Sequence, residues 1–223
     1  MRYRLIFIVF LILFSSCSKK QNNNVYQETY HWLKVLGVNR WGKPYTISEI
    51  ENITSLNLSN TSLKEFHKIK PLKSLKYLYL DGTNISKNDL HHLSNLPHLT
   101  WLYLTNTAIG DEGLEAIKGI ATIEVLGLNG TKVSNRGLSY LKELKRLKQL
   151  YIAGTEVSDQ GLLYLHGIKS LRKVYLTRKI SEASLTPQKE PNKSDQFEYN
   201  KLQITDYGIG QLQKALPNTV IIY

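Results

Sequence analysis

Few side chains in this sequence have the type and spacing that covalent chemistry needs. Cys17 is the one cysteine, which excludes an internal disulfide. His91-His92 is the only adjacent pair among six histidines and has no partner at metal-ligand spacing, so solvated surface histidines are the better reading. Asp111-Glu112 could be read as paired carboxylates for acid–base work. It stands where a helix begins, however, and acids there offset the helix dipole. A phosphate-binding glycine loop and the G-x-S-x-G, H-E-x-x-H and C-x-x-C-H patterns are missing from the sequence. What remains is chemistry of contact. Tyr77 and Tyr79, Trp101 and Tyr103, Tyr151 and Tyr175 fall at fixed offsets in successive segments, with Val125, Gly127, Gln149 and Lys173 at the equivalent places. Such rings offer large, rigid, amphipathic contacts.

These residues are held in line by a phrase that returns every 24 residues, starting at Leu75, Leu99, Ile123, Leu147 and Leu171. It reads L-x-x-L-x-L-x-x-T-x-I/V-S-x-x-G-L-x-x-L-x-x-L; residues 147–168 are its cleanest copy, and a shorter copy covers 53–74. Self-similarity at a period of about 20–50 residues marks a stacked repeat architecture. The L-x-x-L-x-L part alternates with period two, which predicts a short strand. Leu102 and Leu104, Leu126 and Leu128, Leu150 and Ile152 would then point to one side, buried by stacking in a parallel sheet.

The pairs Gly82-Thr83, Asn106-Thr107, Gly130-Thr131 and Gly154-Thr155 predict a sharp turn after each strand, because Gly and Asn tolerate positive φ. Thr61, Thr83, Thr107, Thr131 and Thr155 form a ladder whose hydroxyls can satisfy backbone groups freed at the turn. Ser86, Ser134, Ser158 and Thr205 stand as helix N-caps, followed by first-turn acids such as Asp159 and Asp206. Leu138, Leu141 and Leu144, like Leu162, Leu165 and Ile168, then supply one apolar stripe of a helix.

The phrase resembles the leucine-rich repeat pattern L-x-x-L-x-L-x-x-N/C-x-L, in a bacterial form of 24 residues with Thr in place of the usual ladder Asn. The resemblance covers residues 53–223. It implies an α/β solenoid: a curved right-handed horseshoe with the parallel sheet on the concave face and helices on the convex face. It also implies a protein without catalytic activity or cofactor that works by presenting a surface.

The ends of such a sheet must be capped. Residues 25–52 are read as an N-terminal cap. Within it, 44–50 form a short helix with Thr46 as cap and Ile47 and Ile50 inward. Residues 25–36 form another, carrying Tyr26, Tyr30, Leu33 and Leu36, packed on the first strand. At the other end, 204–216 repeat the turn and helix, 219–223 form a closing strand, and 212–223 make the C-terminal cap. Between them 181–203 is polar, with Pro187 and Pro191, after Arg178-Lys179 breaks the turn rule. It is either an inserted loop or a decayed repeat in which Phe197 and Tyr199 replace strand leucines. Its lack of helix leucines favours the loop.

Met1-Arg2-Tyr3-Arg4 is a charged start, and residues 5–14 are apolar but too short to span a bilayer. Ser15-Ser16-Cys17 follows, and small residues before a Cys look like a bacterial lipoprotein cleavage site. The expected organisation is a signal peptide at 1–16, a lipidated Cys17 with a polar tether through 24, the cap at 25–52 and the repeats at 53–223. The place is then the bacterial cell envelope, lipid-anchored, with the outer membrane favoured.

Without Arg2 and Arg4 the formal charge falls from +11 to +9. Outside the cytoplasm a basic surface points to anionic lipid headgroups or acidic glycans rather than nucleic acid. Lys145, Arg146, Lys148, Lys169, Arg172 and Lys173 gather at helix-to-strand junctions along one rim. They are read either as a binding rim or as a solvated edge.

On the concave face, Tyr77, Tyr79, Trp101, Tyr103, Tyr151 and Tyr175 make an aromatic strip, and Gly127 leaves a notch in it beside Val125. The strip is either a cross-strand ladder that stiffens the sheet or a binding site. A protein partner is favoured over a glycan, because sugar sites add carboxylates or amides beside the rings and only Asp81, Asn129 and Gln149 qualify. A purely structural spacer is the third possibility.

Overall fold

A computed structural model of the chain describes residues 26–40, 43–176 and 204–223. The charged start, Cys17, the tether and residues 181–203 lie outside them. A helix over 26–35 leads to an antiparallel hairpin of β1 (Asn39–Arg40) and β2 (Lys43–Pro44), then to the short helix Ile47–Ile50. Thr46 caps that helix reciprocally with Glu49, whose carboxylate accepts the Thr46 N–H at 2.8 Å.

Seven three-residue strands then form one parallel sheet in chain order: β3 (Ser55–Asn57), β4 (Tyr77–Tyr79), β5 (Trp101–Tyr103), β6 (Val125–Gly127), β7 (Gln149–Tyr151), β8 (Lys173–Tyr175) and β9 (Val220–Ile222). From β4 to β8 each residue pairs with the one 24 positions on, so Leu78, Leu102, Leu126, Leu150 and Val174 lie side by side. All five are fully buried. Burying one such side chain contributes about 1.5–3 kcal/mol, and here each is covered by its neighbours in the stack. A strand of three residues has too little area to be stable alone, so the repeat explains the fold.

The turns behave as the Gly and Asn positions predict. Asn60, Gly82, Asn106, Gly130 and Gly154 have φ between 55° and 67°. Each threonine behind them closes its own turn. Thr61, Thr83, Thr107, Thr131 and Thr155 donate their hydroxyls to the carbonyls of Leu58, Leu80, Leu104, Leu128 and Ile152 at 2.6–2.7 Å.

The outer layer departs from the expected regular helices. In three repeats it is one α turn followed by one 3-10 turn, as in Asn135–Leu138 and Ser139–Glu143. Leu138, Leu141 and Leu144 are spaced by three rather than by three and four, and period three suits 3-10 winding. The first repeat has only the 3-10 turn Phe66–Ile69.

Successive outer turns are bracketed to one another. Asp111 accepts the Ser134 N–H at 2.8 Å and its hydroxyl at 2.6 Å, and Asp159 does the same for Thr205. Asn135 binds Ser158 at both atoms, donating Nδ2 to Oγ and accepting the N–H, each at 2.8 Å. Ser158 stands at the N-cap position as expected, but its hydroxyl takes the Asn135 amide and makes no cap hydrogen bond. Ser86, Ser134 and Thr205 do cap, accepting from Asp89, Arg136 and Gly208.

The ends differ from the middle. The 26–35 helix meets the outer turn of the first repeat: Trp32 donates to the Lys64 carbonyl at 2.7 Å and meets Phe66 edge-on at 6.1 Å. At the far end the sheet passes directly from β8 to β9, with Val174 opposite Ile221. The helix Asp206–Ala215 joins the Asp159–Leu162 turn through the Asp159–Thr205 bracket, so β8 and this helix belong to one repeat.

Candidate functional site on the concave face

Strand alternation places two rows on the face opposite the leucines. One runs Ser55, Tyr77, Trp101, Val125, Gln149, Lys173; the other runs Asn57, Tyr79, Tyr103, Gly127, Tyr151, Tyr175. Tyr79 and Tyr103 stack at 5.2 Å with 9° between their planes, and Tyr151 and Tyr175 at 4.1 Å with 5°. Tyr77 meets Trp101 edge-on at 4.9 Å. Rings stacked along the direction that separates the strands must stand upright on the sheet. Each stacked pair therefore covers one face of each of its rings, and the row turns ring edges and hydroxyls outward.

The notch expected at Gly127 is filled. A Cβ on Gly127 would come within 2.4 Å of Tyr103 Cδ1, so the Tyr103 ring lies over the glycine. Leaning this way brings it to 6.0 Å from Tyr151, tilted by 46°. Gly127 is consequently buried, as is Val125 in the neighbouring row. An absent side chain lets the neighbouring ring fall into its place, which restores a continuous row from Tyr79 to Tyr175.

Burial raises the phenol pKa of Tyr103 above its ordinary value. It raises that of Tyr151 further, reinforced by the Tyr175 hydroxyl beside it. The hydroxyls thus stay protonated and can donate. Tyr151 donates a hydrogen bond to Gln149 Oε1 at 3.2 Å.

The polar groups beside the rings have structural work. Asp81 accepts the Thr105 N–H at 2.7 Å and Asn129 the Ala153 N–H at 2.9 Å, each tying one repeat to the next. Gln149 is engaged by Tyr151.

The basic rim is uneven. Lys148 and Arg146 share Glu124, at 2.7 and 3.4 Å. Sequence reading passed over Glu124, although it aligns with Lys148 and Arg172 at the residue before each strand. Lys145 and Lys169 donate to the carbonyls of Lys142 and Ala215, at 2.7 and 3.1 Å. Arg172 points one nitrogen at the Lys169 and Leu171 carbonyls, both 2.9 Å away. Lys173 is exposed on β8.

The outer face holds the remaining candidates. Asp111 is spent in its bracket, and Glu112 pairs with Lys87, which holds its carboxyl below the usual range. His91 is exposed as expected, but His92 is partly buried, its ring edge-on to His67 at 6.2 Å, and burial lowers its pKa. Among the described residues no group of three or more His, Cys, Asp or Glu is placed to hold a metal ion.

With this geometry in hand, leucine-rich repeat family models match residues 95–118 and 74–96. A solved internalin of Listeria monocytogenes superposes with a TM-score of 0.53 at 18% identity, over 75% of this chain and 39% of its own. The fold is a leucine-rich repeat solenoid. A leucine-rich repeat protein of Leptospira interrogans gives a TM-score of 0.51 at 22% identity, over 79% of this chain and 38% of its own. This chain therefore spans less than half the length of either. No curated protein matches the sequence.

Proposed function

We propose that this protein is a non-enzymatic interaction module of the bacterial cell envelope, anchored by lipid on Cys17, whose concave aromatic row holds a partner protein. The observation that carries the reading is the upright tyrosine row, two stacked pairs joined by the tilted contact of Tyr103 with Tyr151. Sugar rings stack on open aromatic faces, and here each tyrosine has one face covered by its stacked neighbour. Edges and protonated hydroxyls suit the peptide groups and apolar side chains of a protein, and tyrosine is enriched where such contacts carry binding energy. The anchor rests on the charged start, the short apolar run and Ser15-Ser16-Cys17.

The test is an affinity capture from envelope extract, with a Tyr79→Ala/Tyr103→Ala/Tyr151→Ala variant as control. A partner retained by the wild type should be lost by the variant, and Tyr103→Ala alone should weaken its purified complex by about 1–3 kcal/mol. Equal capture by both proteins would mean that the row only stiffens the sheet. For the anchor, mass spectrometry of the native protein should find Cys17 at the mature N-terminus carrying acyl chains, and Cys17→Ser should abolish them. An unmodified Cys17 would remove this part of the proposal.

A further inference from the structure

Resting on the concave-face reading, one part of the rim adds a chemical requirement for the partner. Arg146 and Lys148 are satisfied by Glu124. Arg172 lies one strand further on, where its own N–H bonds to the Lys148 carbonyl at 2.8 Å. No carboxylate pairs with it among the described residues; the backbone holds it instead. One guanidinium nitrogen, Nη1, donates to two main-chain carbonyls at 2.9 Å each. A guanidinium carries five N–H donors in a rigid fork. Anchoring one corner fixes the plane and leaves donors on the remaining nitrogens. Next to it Lys173 projects from β8 into the row that contains Gln149, two residues from the Tyr151–Tyr175 stack in register. After the two preceding strands, β6 and β7, the turn pairs Asn129-Gly130 and Ala153-Gly154 are uncharged.

We propose that Arg172 and Lys173 form a carboxylate-binding subsite for an acidic side chain of the bound protein, with an apolar or aromatic residue of the same segment lying against Tyr151 and Tyr175. Arg172 supplies the oriented fork and Lys173 a point charge. Glu124 pairs with Arg146 and Lys148 of the preceding repeat, whereas Arg172 and Lys173 have no carboxylate partner among the described residues.

The test uses the intact chain as bait for a displayed library of random peptides, in parallel with Arg172→Glu, Arg172→Lys, Lys173→Glu and Tyr151→Ala. Wild-type protein should enrich peptides with Asp or Glu beside an apolar residue. A synthetic copy of the best one should bind about tenfold or more weakly to Arg172→Glu and to Lys173→Glu, and more weakly in high salt. Arg172→Lys, which keeps the charge and loses the fork, should recover affinity only in part. Circular dichroism checks folding, and exposed Lys173 gives a second variant should Arg172→Glu unfold.

Enrichment that depends on Tyr151 yet shows no acidic bias, or is indifferent to Arg172→Glu, would overturn the subsite and keep the concave-face reading. No enrichment at all would count against both. Binding of phosphatidylglycerol vesicles or heparin that disappears in Arg172→Glu, without acidic peptides being selected, would assign the cations to a lipid or a glycan and overturn the proposal as stated.

Discussion

Two rows run side by side through this solenoid, each contributing one residue per repeat. The turn row is Thr61, Thr83, Thr107, Thr131 and Thr155, the same residue every time, making the same bond to the carbonyl three residues back. The concave row is Asn57, Tyr79, Tyr103, Gly127, Tyr151 and Tyr175, bordered by Ser55, Tyr77, Trp101, Val125, Gln149 and Lys173. The threonines from Thr83 to Thr155 are buried, while the tyrosines are only partly buried. A row dictated by backbone geometry has one solution and repeats it. The concave row has no backbone group to satisfy, so its residues are free to differ, and a surface that discriminates between partners needs that freedom.

The largest effect should come from the leucine layer that both rows rest on. Leu128→Ala removes a fully buried side chain with neighbours on both sides, and should cost about 2–5 kcal/mol in urea unfolding. An unfolding curve like that of the wild type would put the inside and outside of the strand in the wrong order.

Gly127 comes next and separates the two rows most directly. Gly127→Ala places a methyl against the Tyr103 ring and should destabilise by about 1–3 kcal/mol. In a Tyr103→Ala background the same change should be nearly neutral, because the ring it strikes is gone. An equal cost in both backgrounds would show that the ring does not cover the glycine.

These two sites also mark the limit of what sequence reading reaches. Leu128 is legible because its place follows from period two within a strand and 24 between strands. The place of Gly127, one residue before Leu128 in the same strand pattern, is equally legible, and so is its membership of the concave row. The occupied notch is not, because it depends on where a neighbouring ring falls once a side chain is missing. Trp32 was missed for a related reason: the cap is not part of the repeat, so no periodicity points to its contact with Phe66. The brackets from Asp111, Asn135 and Asp159 did leave a signal. An Asp or Asn follows the cap position, and a glycine stands two residues later where a Cβ would strike the bracket of the repeat before, as at Gly137 and Gly161.

Thr131→Val should show a smaller loss. It keeps the shape and removes the hydroxyl that donates to the Leu128 carbonyl at 2.7 Å. That carbonyl retains the Thr131 N–H at 3.2 Å, so the cost should be about 1 kcal/mol rather than that of an orphaned acceptor. Partner affinity should not change. A Thr131→Val protein of normal stability and reduced binding would reverse the roles assigned to the two rows.

The smallest effects are the couplings within the aromatic row, and they decide whether the row is a ladder, a site or both. Double-mutant cycles on unfolding should give the Tyr151–Tyr175 pair the larger coupling, since its rings are 4.1 Å apart and nearly parallel. Tyr79–Tyr103 follows at 5.2 Å, and Tyr103–Tyr151, tilted at 6.0 Å, should be weakest. Stacked aromatic pairs contribute about 0.5–1.5 kcal/mol beyond their buried area, so the order should be resolved even where single values are small. The same cycles read by affinity should rank the residues differently: Tyr103 at the centre of the row should dominate, because binding follows what the partner covers rather than which rings touch. If affinity and stability rank the tyrosines in one order, binding is only reporting the rigidity of the sheet. If they diverge, the row carries recognition of its own.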